Sequence, residues 1–198
     1  MRLFDHPESS NALKVRFLLH ELNLEHTLVP MSLGGDSAPR GDHPSPFGLI
    51  PVLDDDGFVL TESNTILRYV ADRERRDDLY PRDPRERARV DERMDALSFQ
   101  VRGALWPAEV DARHGDVSPA HLADLERALD GFEMLIADNG TCTGTFSIAD
   151  CAAAGRLCHL GELPLDLGRW PKITRLLTEL TTRPAFVRAL GGALPPGA

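Results

Sequence analysis

Over residues 1–80 the apolar positions change period every few residues, whereas from residue 85 onward they settle into helical spacing. The short run Arg2–Asp5 reads as a first strand. The polar turn His6-Pro7-Glu8-Ser9-Ser10 then opens an amphipathic stretch that places Val15, Leu18, Leu19 and Leu22 on one helical face. Residues 24–31 alternate well enough for a second strand, and the Gly, Pro and Asp cluster at 34–46 reads as a loop with at most a short helix. Strands follow at 51–53 and Phe58–Leu60, joined by Asp54-Asp55-Asp56-Gly57, a turn rich in residues that tolerate positive φ. A helix over Ser63–Arg73 closes this part.

Residues 73–78 form a charge run, and Tyr80-Pro81-Arg82-Asp83-Pro84 carries two prolines that interrupt a helix and favour an extended connector. Beyond it Val90, Met94, Leu97 and Val101 recur at helical steps, as do Leu122, Leu125, Leu129 and Phe132, and later Ile173, Leu176, Leu177 and Leu180. The pattern divides the chain into an α/β part at 1–76, a linker at 77–84 and an all-helical part at 85–198. The Gly- and Pro-rich end from Gly191 reads as frayed.

Composition narrows the function classes. The chain has 198 residues, 42% hydrophobic and 27% charged, which suits a soluble globular protein. No apolar run approaches the ~18 residues of a membrane span, and the N-terminus lacks the apolar stretch and cleavage site of a secretory signal, so a cytoplasmic location is expected. The formal net charge is −9, with 8 basic and 14 acidic residues in 1–80 and 14 and 17 thereafter. That balance argues against a nucleic-acid partner, which needs concentrated Lys and Arg. Cys142, Cys151 and Cys158 are odd in number and lack metal-ligand spacing, so neither a disulfide framework nor a metal site is expected.

Four segments in this order resemble the cytosolic glutathione transferases. His6-Pro7-Glu8-Ser9-Ser10-Asn11 is similar to the active-site loop of the serine-type classes, including the Ser-Ser-Cys motif of the zeta class. Ser45-Pro46-Phe47-Gly48-Leu49-Ile50-Pro51-Val52-Leu53 resembles the family's Asn-Pro-x-Gly-x-Val-Pro-Val-Leu. Leu60-Thr61-Glu62-Ser63-Asn64-Thr65-Ile66-Leu67-Arg68-Tyr69 is close to its Glu-Ser-x-x-Ile-x-x-Tyr, and Phe146-Ser147-Ile148-Ala149-Asp150 to a helix start in its second domain. The resemblance covers almost the whole chain. It implies an α/β thioredoxin-like N-terminal domain plus an all-α C-terminal domain, the glutathione transferase fold, working as a homodimer on a small-molecule electrophile in conjugating, detoxifying chemistry.

The same resemblance assigns roles. Pro51 is the family's cis proline, an isomer that proline alone makes readily accessible. With Ile50 it exposes the main chain of Val52 to the cysteinyl backbone of glutathione, which pairs there like an added strand. Glu62 and Ser63, where a strand meets a helix, fit the zwitterionic γ-glutamyl end: N–H groups at the helix start and the Ser63 hydroxyl attract its carboxylate, and Glu62 pairs with its ammonium. For thiolate stabilisation Ser9 aligns best, Ser10 competes through a one-residue shift, and Asn11 is a further donor. Each has a plainer reading: a trans proline opening an edge strand, capping of the second helix by Thr61 or Ser63, and capping of the first by Ser9 or Ser10.

The sequence also departs from the family. The positions that often carry a cation or Gln for the glycyl carboxylate hold Asp36, Ser37, Asp42 and Leu49, with Arg40 and His43 the nearest substitutes. A zeta-like glutathione-dependent isomerase is the first alternative, though Asn11 replaces the zeta Cys. A noncatalytic ligand-binding or stress protein of the same fold is the second. Ser147 and Asp150 read as a capping box with Phe146 as staple, Cys151 and Cys158 as buried free thiols, and Phe99, Gly103 and Trp106 as core more than pocket. His6 reads equally as a neighbour of the active site and as packing under the first strand.

Overall fold

A computed structural model describes residues 1–32 and 44–191. Asp36, Ser37, Arg40, Asp42 and His43, and the chain end expected to fray, save Gly191, lie outside these residues. The strands among the described residues are β1 (Arg2–Asp5), β2 (Thr27–Pro30), β3 (Val52–Asp55) and β4 (Phe58–Leu60), in the order β2-β1-β3-β4. β1 and β2 are parallel and the other pairs antiparallel. Between β1 and β2 runs α1 (Ser10–Glu21), and after β4 comes α2 (Ser63–Arg73). Among the described residues all further regular structure is helical: α3 (Pro84–Asp95), a π-helical segment (Ala96–Val101), α4 (Arg102–His114), α5 (Pro119–Leu135), α6 (Ile148–Leu157), two 3-10 turns, α7 (Pro171–Thr181) and α8 (Pro184–Ala189). The arrangement is a thioredoxin-like α/β unit followed by a helical one.

Two expectations about element shape need correction. β2 is shorter than 24–31 because residues 22–24 complete α1. Asn23 takes a φ of 51°, its N–H donates to the carbonyl of His20, and the Leu24 N–H reaches back to Leu19. This is the double bond of a left-handed helix end, a conformation Asn adopts more readily than most residues. Second, α1 has no solvent face along most of its length: Lys14 and Arg16 are buried together with Ala12, Leu13, Val15, Phe17, Leu18 and Leu19. It is packed by α2, α6 and α8, and Phe17 meets the Phe146 and Phe186 rings edge-on at 5.9 and 5.3 Å.

Arg16 explains how the loop before α1 is held. Its guanidinium pairs with the buried Asp5 carboxylate at the end of β1 and donates to the carbonyls of His6 (3.1 Å), Pro7 (2.9 Å) and Ala189 (2.9 Å). A buried ion pair is tolerated when its remaining donors are satisfied in this way. The turn carrying Ser9 is thus tied to the sheet and to the end of α8. At α6, Asp150 accepts from both the N–H and hydroxyl of Ser147 and from the N–H of Cys142, completing the expected capping box with Asp at its third position.

Candidate functional site

Ser9 caps α1: its Oγ accepts from the Ala12 N–H at 3.2 Å, and its own N–H donates to the His6 carbonyl at 3.0 Å. The capping reading is therefore realised by Ser9, not Ser10. The Ser9 lone pair is engaged and its O–H proton remains available to an acceptor. Ser10 and Asn11 open the helix, and both are held by Arg156 of α6, whose guanidinium donates to Ser10 Oγ at 3.4 Å and Asn11 Oδ1 at 2.9 Å. His6 lies on the same turn, its Nδ1 accepting from the Glu8 N–H at 3.2 Å.

The Ile50–Pro51 peptide bond is cis. It delivers Val52 into β3 opposite Phe4 of β1, while the pairing of β3 with β4 stops at Leu53–Leu60. One side of the Val52 main chain therefore falls beyond the β4 ladder.

Glu62 precedes α2 with φ 65° and ψ 106°, a left-sided conformation strained for any residue with a Cβ. Neither Thr61 nor Ser63 caps this helix, and among the described residues no side chain does, as at α5 and α8 but unlike α1, capped by Ser9, and α3, capped by Asp83. The first N–H groups of α2 are thus left to whatever occupies the space before them. That space is a cleft of about 370 Å³. Asn11 and Lys14 of α1, Glu62, Ser63 and Asn64 at the start of α2, Ser98 and Phe99 of the π segment, Arg102 and Arg156 all line it. Of the residues expected from sequence, Asn11, Glu62 and Ser63 meet in this lining; Ser9, Ser10, Ile50, Pro51 and Val52 are outside it.

Sequence reasoning missed the polar network behind the cleft. Lys14, only 5% exposed, donates to Asn64 Oδ1 at 2.6 Å, and Asn64 donates in turn to Ser98 Oγ at 2.9 Å, so α1, α2 and the π segment are joined through one amide. Burial, reinforced by the Arg156 charge and opposed by Glu62, lowers the Lys14 pKa from 10.5 to about 7. Burial and the neighbouring Arg102 lower that of Arg156 to about 10, which leaves it charged at neutral pH. Phe99 and Trp106, read as core, are 73% and 44% exposed, because the π segment and α4 turn them outward. Nothing lies within 4 Å of where a Cβ on Gly103 would be. The signal for the network was a pair of cations, Lys14 and Arg16, inside an otherwise apolar helix. Among the described residues no group of three or more His, Cys, Asp and Glu side chains could hold a metal, and no helix is long and apolar enough to cross a membrane.

A thioredoxin-like unit with a cis proline before β3 and no side-chain cap on α2, backed by a helical unit, defines the class of fold, and comparison supplies its relatives. The profile of the glutathione S-transferase N-terminal domain matches residues 1–72. The probable glutathione S-transferase GSTF2 of Oryza sativa subsp. japonica is 28% identical over 215 aligned positions, covering 99% of this chain and 98% of the relative. Maleylacetoacetate isomerase of Rhizobium meliloti is 29% identical, covering 94% of each. Glutathione transferase F7 of Populus trichocarpa superposes with a TM-score of 0.80 at 26% identity, over 96% of this chain and 98% of that one. The family model covers the N-terminal part, and the likeness over nearly the whole chain supports the cytosolic glutathione transferase superfamily.

Proposed function

We propose that the protein is a glutathione S-transferase that conjugates the glutathione thiolate to an electrophilic, partly apolar small molecule. The observation that carries this reading is the uncapped start of α2, with Glu62 and Ser63 facing a cleft whose other walls include Asn11 and exposed Phe99. The α-carboxylate of glutathione takes the place of a cap on α2 with the Ser63 hydroxyl as a further donor, and Glu62 pairs with its ammonium. The cysteinyl main chain pairs with Val52 where the β4 ladder ends. The thiolate accepts a hydrogen bond from Ser9, with Ser10 and Asn11 as the neighbouring donors that Arg156 holds. Its sulfur attacks the electrophilic carbon, an S–C bond forms, and the leaving group departs with the bonding pair; in an addition, the carbanion instead takes a proton from water.

Exposed Phe47 and Phe58 support a homodimer. The likeness to a maleylacetoacetate isomerase supports a second reading, in which the thiolate adds to a conjugated double bond and is later expelled.

Calorimetric titration tests the proposal. Glutathione should bind at millimolar concentration or below, and no heat at that concentration sinks it; binding with no turnover of any electrophile favours a ligand-binding protein. Ser9→Ala should leave glutathione affinity within about twofold and raise the bound thiol's pKa by about one to two units, since one hydrogen bond to an anion is worth about 1.5–3 kcal/mol. If Ser10→Ala shifts the thiol and Ser9→Ala does not, the thiolate donor is Ser10.

A further inference from the structure

Arg156 is a buried cation whose partners are both neutral. It is 9% exposed, its two terminal nitrogens are spent on Ser10 and Asn11, and it forms no ion pair among the described residues. Buried and half-buried arginines elsewhere in the fold are compensated, Arg16 by Asp5, Arg68 by Asp91 and Asp95, Arg183 by Glu21. Arg102, on the same cleft, forms neither a hydrogen bond nor an ion pair among the described residues; its guanidinium lies over the Trp106 ring at 4.4 Å. The carboxylate of Glu109 lies in the field of both arginines but pairs with neither. The cleft therefore carries Lys14, Arg68, Arg102 and Arg156 against Glu62 and Asp95, in a chain whose net charge is −9. Arg68 is neutralised by its aspartates, which leaves a local surplus of positive charge beside the start of α1.

We infer that Arg156 and Arg102 form an anion subsite for the second substrate: the electrophile carries a carboxylate, held between these guanidiniums, with its apolar body against Phe99 and Trp106. This rests on the transferase reading for the identity of the first substrate but not for the subsite itself. A desolvated cation without a counter-charge is unfavourable, and a ligand carboxylate supplies one with the strong geometry guanidinium offers. The ammonium and α-carboxylate of glutathione are already answered by Glu62 and the start of α2, so they leave the arginines unmatched. Contact with Ser10 and Asn11 sets the subsite one residue from the proposed thiolate donor. The bound anion thus presents a carbon near its own carboxylate to the sulfur.

Two acceptors that lose chloride to the glutathione thiolate by the same substitution provide the test: para-chloro-meta-nitrobenzoate and its uncharged amide. The acid should show a KM about tenfold or more below that of the amide, a difference of about 1.4 kcal/mol. Arg156→Gln and Arg102→Gln should each shrink that ratio, and taking the ratio cancels any effect of Arg156 acting through Ser10. Equal KM values in the unaltered protein overturn the inference, as does a ratio that survives both substitutions. So does a rise in the glutathione KM alone, which would assign the arginines to glutathione's own carboxylates. If neither acceptor turns over, titrating acid and amide with S-methylglutathione present still decides the subsite, and the transferase reading is judged separately by glutathione binding and by other electrophiles. Heat selective for the acid and lost in Arg102→Gln supports the subsite; equal heats overturn it. Arg102 is only partly buried, so its variant serves if Arg156→Gln does not fold.

Discussion

Lys14 is held almost out of water with its ammonium on an amide oxygen, and its proton is correspondingly loose. The folded-state pKa is about 7 and the ordinary value 10.5, so between these the unfolded chain binds more protons and stability rises with pH. Below about pH 7 the full cost of the buried charge is present. Lys14→Met should therefore gain most at acid pH, and its advantage over the unaltered protein should fall by roughly 2–3 kcal/mol between about pH 6 and about pH 9. Urea titrations at the two pH values measure this; an advantage independent of pH would show that Lys14 titrates normally. The residue also marks where sequence reading stopped. That Ser9 stands at the start of α1 and Glu62 and Ser63 at the start of α2 was legible because their neighbours form a motif in the chain. Lys14 and Arg156 were not, because their partners Asn64, Ser10 and Asn11 lie 50, 146 and 145 residues away. A helix buried on every side also offers no polar face for periodicity to reveal.

Between elements, α6 comes close against the first turn of α1. A Cβ on Gly155 would lie 2.5 Å from the Ser10 carbonyl oxygen and 2.9 Å from Lys14 Cβ, and the carbonyl belongs to backbone that cannot swing aside. The small residues Ala152, Ala153, Ala154 and Gly155 let the helices meet there, and Arg156 follows at once to grip Ser10 and Asn11. Gly155→Ala should cost about 1–3 kcal/mol from overpacking, more than helix propensity would return. Chemical denaturation checks the stability, and a kcat that falls further than the stability alone explains would show Ser10 displaced. An unchanged midpoint would mean the helices part freely. Element limits were readable where the period was clean, as at Arg2–Asp5, Phe58–Leu60 and Ser63–Arg73. The π segment was not: Val90, Met94, Leu97 and Val101 are all buried as their spacing demands, and the widened turn among them leaves that pattern intact while rotating Phe99 into solvent.

At the scale of the molecule, the sheet and the helical unit share one interior. Leu3 and Leu53 of the strands, Phe17 of α1, Ala153 of α6 and Phe186 of α8 belong to a single buried cluster. The halves that the composition shift separates along the chain should thus unfold together. Native-state hydrogen exchange should give β3 and α6 amides the same opening free energy, and a lower value for either would reveal independent units. The order of strands and helices was legible because local period and turn chemistry set it; that α1 lies at the centre was not, since burial on all sides is a property of what packs around it. The same interior encloses all three cysteines. Cys142 and Cys151 have no exposed surface, and burial drives their pKa values well above normal; Cys158 is 8% exposed and is pushed up to about 12. Electrophiles attack thiolates, not buried neutral thiols. For the proposed transferase this keeps the chain's own cysteines out of the chemistry: a reactive carbon meets the borrowed thiolate and finds none belonging to the protein.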